Sequence, residues 1–114
     1  MKATIWHNPE CSTSRKALAR LEEAGADITV IPYKKQPFDR ATLERLFAAA
    51  GLTPQQALRM RGTPAEALGL SPNSDSDSIL DAMVSEPILV ERPFVETDKG
   101  VRLGRPIEKM EEIL

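Results

Sequence analysis

The chain contains one cysteine, Cys11, and one histidine, His7, four residues apart near the start of the sequence. Around them the chain reads Trp6-His7-Asn8-Pro9-Glu10-Cys11-Ser12-Thr13-Ser14-Arg15-Lys16. A thiol does chemistry when it is a thiolate, and thiolates form where positive charge or unpaired amide donors gather. Cys11 follows a β-branched, aromatic stretch and precedes a helical pattern, which puts it at or just before a helix N-terminus. There the exposed N–H groups and the positive end of the helix dipole favour both a thiolate and a bound oxyanion. Arg15 and Lys16 add local positive charge. The polar neighbours Glu10, Ser12, Thr13 and Ser14 oppose the usual fate of a lone cysteine, which is burial as a small hydrophobe.

Two related arrangements fail on spacing. A phosphatase-type Cys-x5-Arg loop requires Arg at 17, where Ala17 stands, and a thioredoxin-type Cys-x-x-Cys requires Cys at 14, where Ser14 stands. What remains is a monothiol with a hydroxyl one helical step on. Ser14 can donate to the thiolate, cap the helix, or both. With one cysteine the chain can form no internal disulfide and no cysteine-based zinc site, and one histidine makes a protein-only metal site unexpected. Any second thiol must come from outside.

The elements that must position these residues follow from periodicity. Residues 2 to 7 read as a strand closed by Asn8-Pro9. Residues 15 to 24 read as a helix, with Ala17, Leu18, Leu21 and Ala24 on one face, Ser12 to Ser14 as candidate caps and Gly25 as the stop. Residues 28 to 31 form a second strand, completing a βαβ unit with parallel strands. Asp39 caps a helix running to about Ala50. Short helices near 54–59 and 64–68, a polar loop over 71–78 and a helix over 78–85 follow. Strand character returns at 88–90 and again at 94–96, and Asp98-Lys99-Gly100 turns into a strand at 101–103. Pro106, at a first helical position, starts a last helix to about Leu114. The order is β-α-β, a helical insertion over 34–86, then β-β-α, in a single domain spanning 1–114.

Composition bounds the function. Apolar residues make up 41% and charged residues 28%, an ordinary globular balance. Fifteen basic against 17 acidic residues give a net charge of -2, which argues against a nucleic-acid binder. No apolar run approaches the roughly 20 residues of a membrane span. The N-terminal residues show no signal-peptide pattern, so the expectation is a cytoplasmic protein without membrane or nucleic-acid partners.

The segment His7 to Arg15 resembles the signature of the glutaredoxin-coupled arsenate reductase family. So do Ala57-Leu58-Arg59, Glu66-Ala67-Leu68-Gly69-Leu70, the stretch Pro87 to Val95, and Arg102-Leu103-Gly104-Arg105-Pro106, in the same order. The resemblance covers essentially the whole chain. It implies a thioredoxin-like α/β fold, with a β-α-β / β-β-α core, a mixed four-stranded sheet and a helical insertion. It implies Cys11 as the catalytic nucleophile and Pro93 as the cis-proline facing it. It also implies three arginines around an arsenate oxyanion, matching Arg59, Arg92 and Arg105. Forked, permanently charged guanidinium groups suit a tetrahedral anion and lower a neighbouring thiol pKa. Arg61 competes with Arg59 for the first of these positions. Arg92, inside an apolar strand, and Arg105, at a helix start where its charge opposes the dipole, are awkward places for idle charge. His7, Asn8, Ser14 and Arg15 support the cysteine loop in this reading, and Trp6 belongs to the core.

The implied reaction is reduction of arsenate with glutathione as co-substrate, no bound cofactor and no metal, glutaredoxin as partner, and a monomeric enzyme. Two other readings share the fold. One is a thiol-dependent reductase of another small substrate. The other is a redox-type transcriptional regulator binding RNA polymerase, which Ser14 disfavours because such relatives switch through a Cys-x-x-Cys pair.

Overall fold

The computed structural model describes all 114 residues. The chain divides into two units. One comprises residues 1–36 and 92–114, and the other residues 37–91.

The first unit is built on a four-stranded mixed sheet. Its strands are β1 (Lys2–His7), β2 (Asp27–Pro32), β3 (Phe94–Thr97) and β4 (Gly100–Leu103), in the order β2-β1-β3-β4. β1 pairs with β2 in parallel, Trp6 opposite Ile31, and with β3 antiparallel, Trp6 opposite Phe94. The crossover between β1 and β2 is helix α1 (Ser12–Glu23). It starts earlier than the periodicity suggests. Cys11 itself is the N-cap, so Ser12, Thr13 and Ser14 lie inside the first turn instead of capping it. Ala17 and Leu21 of α1 pack with Ala3, Ile5, Val95, Met110 and Ile113 to form the core under the sheet. Trp6 is buried, as expected.

The second unit carries α2 (Arg40–Ala50), α3 (Pro54–Ala57) and α4 (Ser76–Ser85). Asp39 caps α2 by accepting the Thr42 N–H, and Thr53 and Gln56 form a reciprocal capping box on α3. The polar loop before α4 ends in its cap, Asp75, which accepts the Ser78 N–H. Leu43, Leu46 and Phe47 on α2 and Ile79, Leu80 and Met83 on α4 form the buried faces. Arg40 ties the two helices at the surface by pairing with Glu44, Asp77 and Asp81.

Three expectations fail in detail. Residues 64–68 form successive turns, not a helix, because Pro64 and Gly69 leave too few residues to propagate one. Residues 88–90 do not form a strand. Pro87 starts a short 3-10 turn (Pro87–Leu89), and only Val90 pairs, in an isolated bridge with Leu58. The C-terminal segment Ile107–Ile113 is a 3-10 run, not an α-helix, and Pro106 precedes it as the cap. No helix is long and apolar enough to cross a membrane. The sheet order, the α1 crossover and the β3–β4 hairpin form the thioredoxin-like core.

Candidate active site

The end of β1 and the start of α1 are joined by a tight loop held from within. The Cys11 N–H donates to the Asn8 carbonyl at 3.0 Å, and the Arg15 N–H donates to the Cys11 carbonyl at 3.0 Å as the helix begins. Asn8 Oδ1 accepts the Glu10 N–H at 3.0 Å, so the asparagine side chain braces the turn in front of the cysteine. The Arg15 guanidinium folds back onto the Pro9 carbonyl at 2.8 Å. Asn8 is 3% exposed and Cys11 9% exposed, so this is a recessed thiol in spite of its polar neighbours.

Burial pushes the Cys11 thiol pKa up, and the surroundings more than reverse that. The backbone N–H of Ser14, a hydrogen bond from the Arg92 side chain and the charges of Arg105 and Arg92 bring it below the ordinary thiol value. Arg105 Nη2 lies 3.3 Å from Cys11 Sγ, and its Nε donates to the Arg92 carbonyl at 2.6 Å. One guanidinium thus spans the backbone of the other arginine and the sulfur. Arg92 and Arg105, expected to gather at the cysteine, do so. The sequence neighbours Arg15 and Lys16 are exposed, and Arg15 is engaged with Pro9. The cations acting on the thiol come from the far end of the sequence, beside the sheet and not on the helix.

Ser14 contributes differently from either sequence expectation. Its backbone N–H serves the sulfur, while its fully buried hydroxyl is 2.6 Å from His7 Nδ1 and accepts the Asn8 N–H at 3.1 Å. His7 has a pKa below the ordinary value, first because it is buried and second because of the Arg15 charge. We therefore assign a neutral imidazole whose unprotonated Nδ1 accepts the serine hydroxyl. His7 acts on the loop through Ser14.

The peptide bonds Arg92–Pro93 and Arg105–Pro106 are both cis. The first was expected, and the second had no signal in the sequence.

Arg59 lies in the second unit. Its Nη1 donates to Glu91 at 2.9 Å, with side-chain exposures of 17% and 23%. Backbone bonds from Arg59 N–H to the Leu89 carbonyl and from Glu91 N–H to the Ala57 carbonyl, each 2.8 Å, lock the two residues across the Leu58–Val90 bridge. Its buried Nε has no hydrogen-bond partner. Arg61 is exposed. Nothing in the sequence pattern marked Glu91 as the partner of Arg59. The one available signal was an acid beside Arg92 in an otherwise apolar stretch.

The arrangement can hold a thiolate, and it can offer guanidinium donors to an anion beside it. The chain as a whole is similar to known proteins. The ArsC family profile matches residues 6–113. An arsenate reductase of Rhizobium meliloti (strain 1021) is 52% identical over 115 residues, covering 100% of this chain and 82% of that protein. An arsenate reductase of Escherichia coli (strain K12) is 41% identical over 112 residues, covering 97% of this chain and 79% of that one. Among solved structures, an arsenate reductase from Vibrio cholerae superposes with a TM-score of 0.92 at 36% identity, covering 100% of this chain and 98% of the other. Matching sequence and fold over nearly the full chain establish that this chain belongs to the ArsC family.

Proposed function

We propose that the protein is an arsenate reductase that uses Cys11 as its nucleophile and draws its reducing thiols from glutathione and glutaredoxin. The observation that carries the reading is the Cys11–Arg105 contact at 3.3 Å, within a site where Arg92 also helps to lower the thiol pKa. It supplies an activated nucleophile and anion-binding donors at one point. The relatives named above, which carry arsenate reductase as their name, support the choice of substrate.

In the proposed mechanism arsenate is held by Arg92 and Arg105, with Arg59 as the third arginine by family resemblance. The Cys11 thiolate attacks arsenic, a sulfur–arsenic bond forms and one arsenic oxygen leaves as water after protonation. Glutathione displaces a second oxygen in the same way, giving arsenic(V) bonded to both sulfurs. A glutaredoxin thiolate then attacks the glutathione sulfur. The glutathione sulfur–arsenic bond breaks, its electron pair stays on arsenic, and arsenic(V) becomes arsenic(III). Glutaredoxin leaves as a mixed disulfide with glutathione. Hydrolysis of the Cys11–arsenic(III) bond returns the thiolate and releases arsenite. A single cysteine suits this scheme, because every further thiol is external. The enzyme we propose works in the cytoplasm as a monomer, with no metal and no resident cofactor.

The test is NADPH consumption in a mixture of glutathione, glutathione reductase and glutaredoxin, with wild type and Cys11→Ser compared. Turnover should require arsenate, glutaredoxin and Cys11. Turnover with thioredoxin in place of glutaredoxin would replace the donor. Absence of turnover with any donor would overturn the reading.

A further inference from the structure

We propose that Gly104 is a positioning residue for Arg105: because it has no side chain, the end of β4 closes onto Pro93 and Met110, and that closure sets the reach of Arg105 to Cys11. The Gly104 N–H donates to the Pro93 carbonyl at 2.8 Å, and the Arg105 N–H donates back to the Leu103 carbonyl at 2.9 Å. The chain therefore turns sharply against Pro93. From that turn the Arg105 side chain reaches the Arg92 carbonyl and the Cys11 sulfur together. A Cβ on Gly104 would sit 3.3 Å from Pro93 Cγ, 3.4 Å from Met110 Cγ and 3.5 Å from Met110 Sδ. Gly104 is not among the glycines with positive φ, so the requirement is space and not backbone freedom. Pro93 is a rigid, buried ring, and Met110 is 0% exposed in the core. The tightest approach is to the Pro93 ring, which cannot rotate away, and Met110 can yield only by repacking the core around it. The movable part is the turn at 103–105, which carries Arg105 away from the sulfur. All of these residues belong to the unit that holds Cys11.

The inference rests on the reading of Arg105 as a group acting on Cys11, and its first readout needs no arsenate. Gly104→Ala should shift the midpoint of iodoacetamide alkylation of Cys11 to higher pH. It should also raise the KM for arsenate about three- to tenfold with a smaller change in kcat, as expected when a binding group is displaced by a fraction of an ångström. Gly100→Ala is the control. Gly100 has φ of +140°, so that variant strains the β3–β4 hairpin without touching the turn at 103–105. It should melt at lower temperature and keep the wild-type alkylation profile. The double variant Gly104→Ala/Met110→Ala makes room for the added methyl and should return the midpoint towards wild type, even where the single variant folds poorly. A wild-type profile in Gly104→Ala, an equal shift in Gly100→Ala, or a midpoint that stays high in the double variant would each overturn the proposal. A shifted profile in a protein without arsenate turnover would leave this proposal standing and remove the arsenate reading.

Discussion

The Ser14 hydroxyl oxygen lies 2.6 Å from His7 Nδ1, so the serine one helical turn past the cysteine is bound to the end of β1 and not to the sulfur. That hydroxyl also accepts the Asn8 N–H, and Ser14, His7 and Asn8 are all buried. Ser14→Ala strands two polar groups at once. It should cost about 1–3 kcal/mol of stability, the usual penalty for a buried group left unsatisfied, measured by urea denaturation. Because the backbone N–H at 14 survives, the alkylation profile of Cys11 should change far less than the stability.

His7 links the same loop to pH. Its folded-state pKa is lowered, so the unfolded chain binds the proton more readily. The stability it confers is complete above the ordinary histidine value of about 6.5 and is lost as pH falls towards and through the lowered folded value. Melting temperature should therefore drop on acidification from about pH 6.5, and His7→Gln should flatten that part of the curve. An equally steep decline in His7→Gln would assign the effect to other groups.

Arg105 makes two bonds from one fork, to the Arg92 carbonyl and to Cys11 Sγ. A lysine ammonium keeps the charge but cannot span both. Arg105→Lys should lower kcat/KM for arsenate about ten- to a hundredfold, the equivalent of one lost charged hydrogen bond. Arg105→Ala and Arg92→Ala should lower it further and move Cys11 alkylation to higher pH. Activity equal to wild type in Arg105→Lys would mean that charge alone is enough.

Arg59 and Arg61 separate on structural grounds. Arg59→Ala removes a partly buried ion pair with Glu91 and should destabilise by about 1–3 kcal/mol. Arg61 is exposed, and Arg61→Ala should stay within about 0.5 kcal/mol of wild type. If Arg59 is the third oxyanion arginine, Arg59→Ala should also raise the arsenate KM while Arg61→Ala does not. Steady-state kinetics on both variants check this.

What could be read in advance follows the range of the interactions. The β1-α1-β2 unit is legible because strand period, helix period and Gly25 agree within thirty residues. Cys11 at the helix N-terminus is legible for the same reason. The source of its positive charge is not, since adjacent Arg15 and Lys16 compete on paper with Arg92 and Arg105, which only the sheet order β1-β3-β4 and the turn after β4 bring to the sulfur. Family resemblance supplied those two arginines where local pattern could not. The segment at 88–90 misleads because its apolar run suits a strand equally well, and Pro87 decides otherwise. Gly104 carries no local mark at all. Its importance is a distance to Pro93 and Met110.

The most direct test is to quantify arsenite formed by the purified protein from arsenate, with and without external thiols. Wild type should release arsenite over many turnovers with glutathione and glutaredoxin, none with arsenate alone, and none in either condition as Cys11→Ser. Arsenite released by Cys11→Ser, or by wild type without any external thiol, would contradict a mechanism in which Cys11 is the nucleophile and the reducing electrons come from outside the chain.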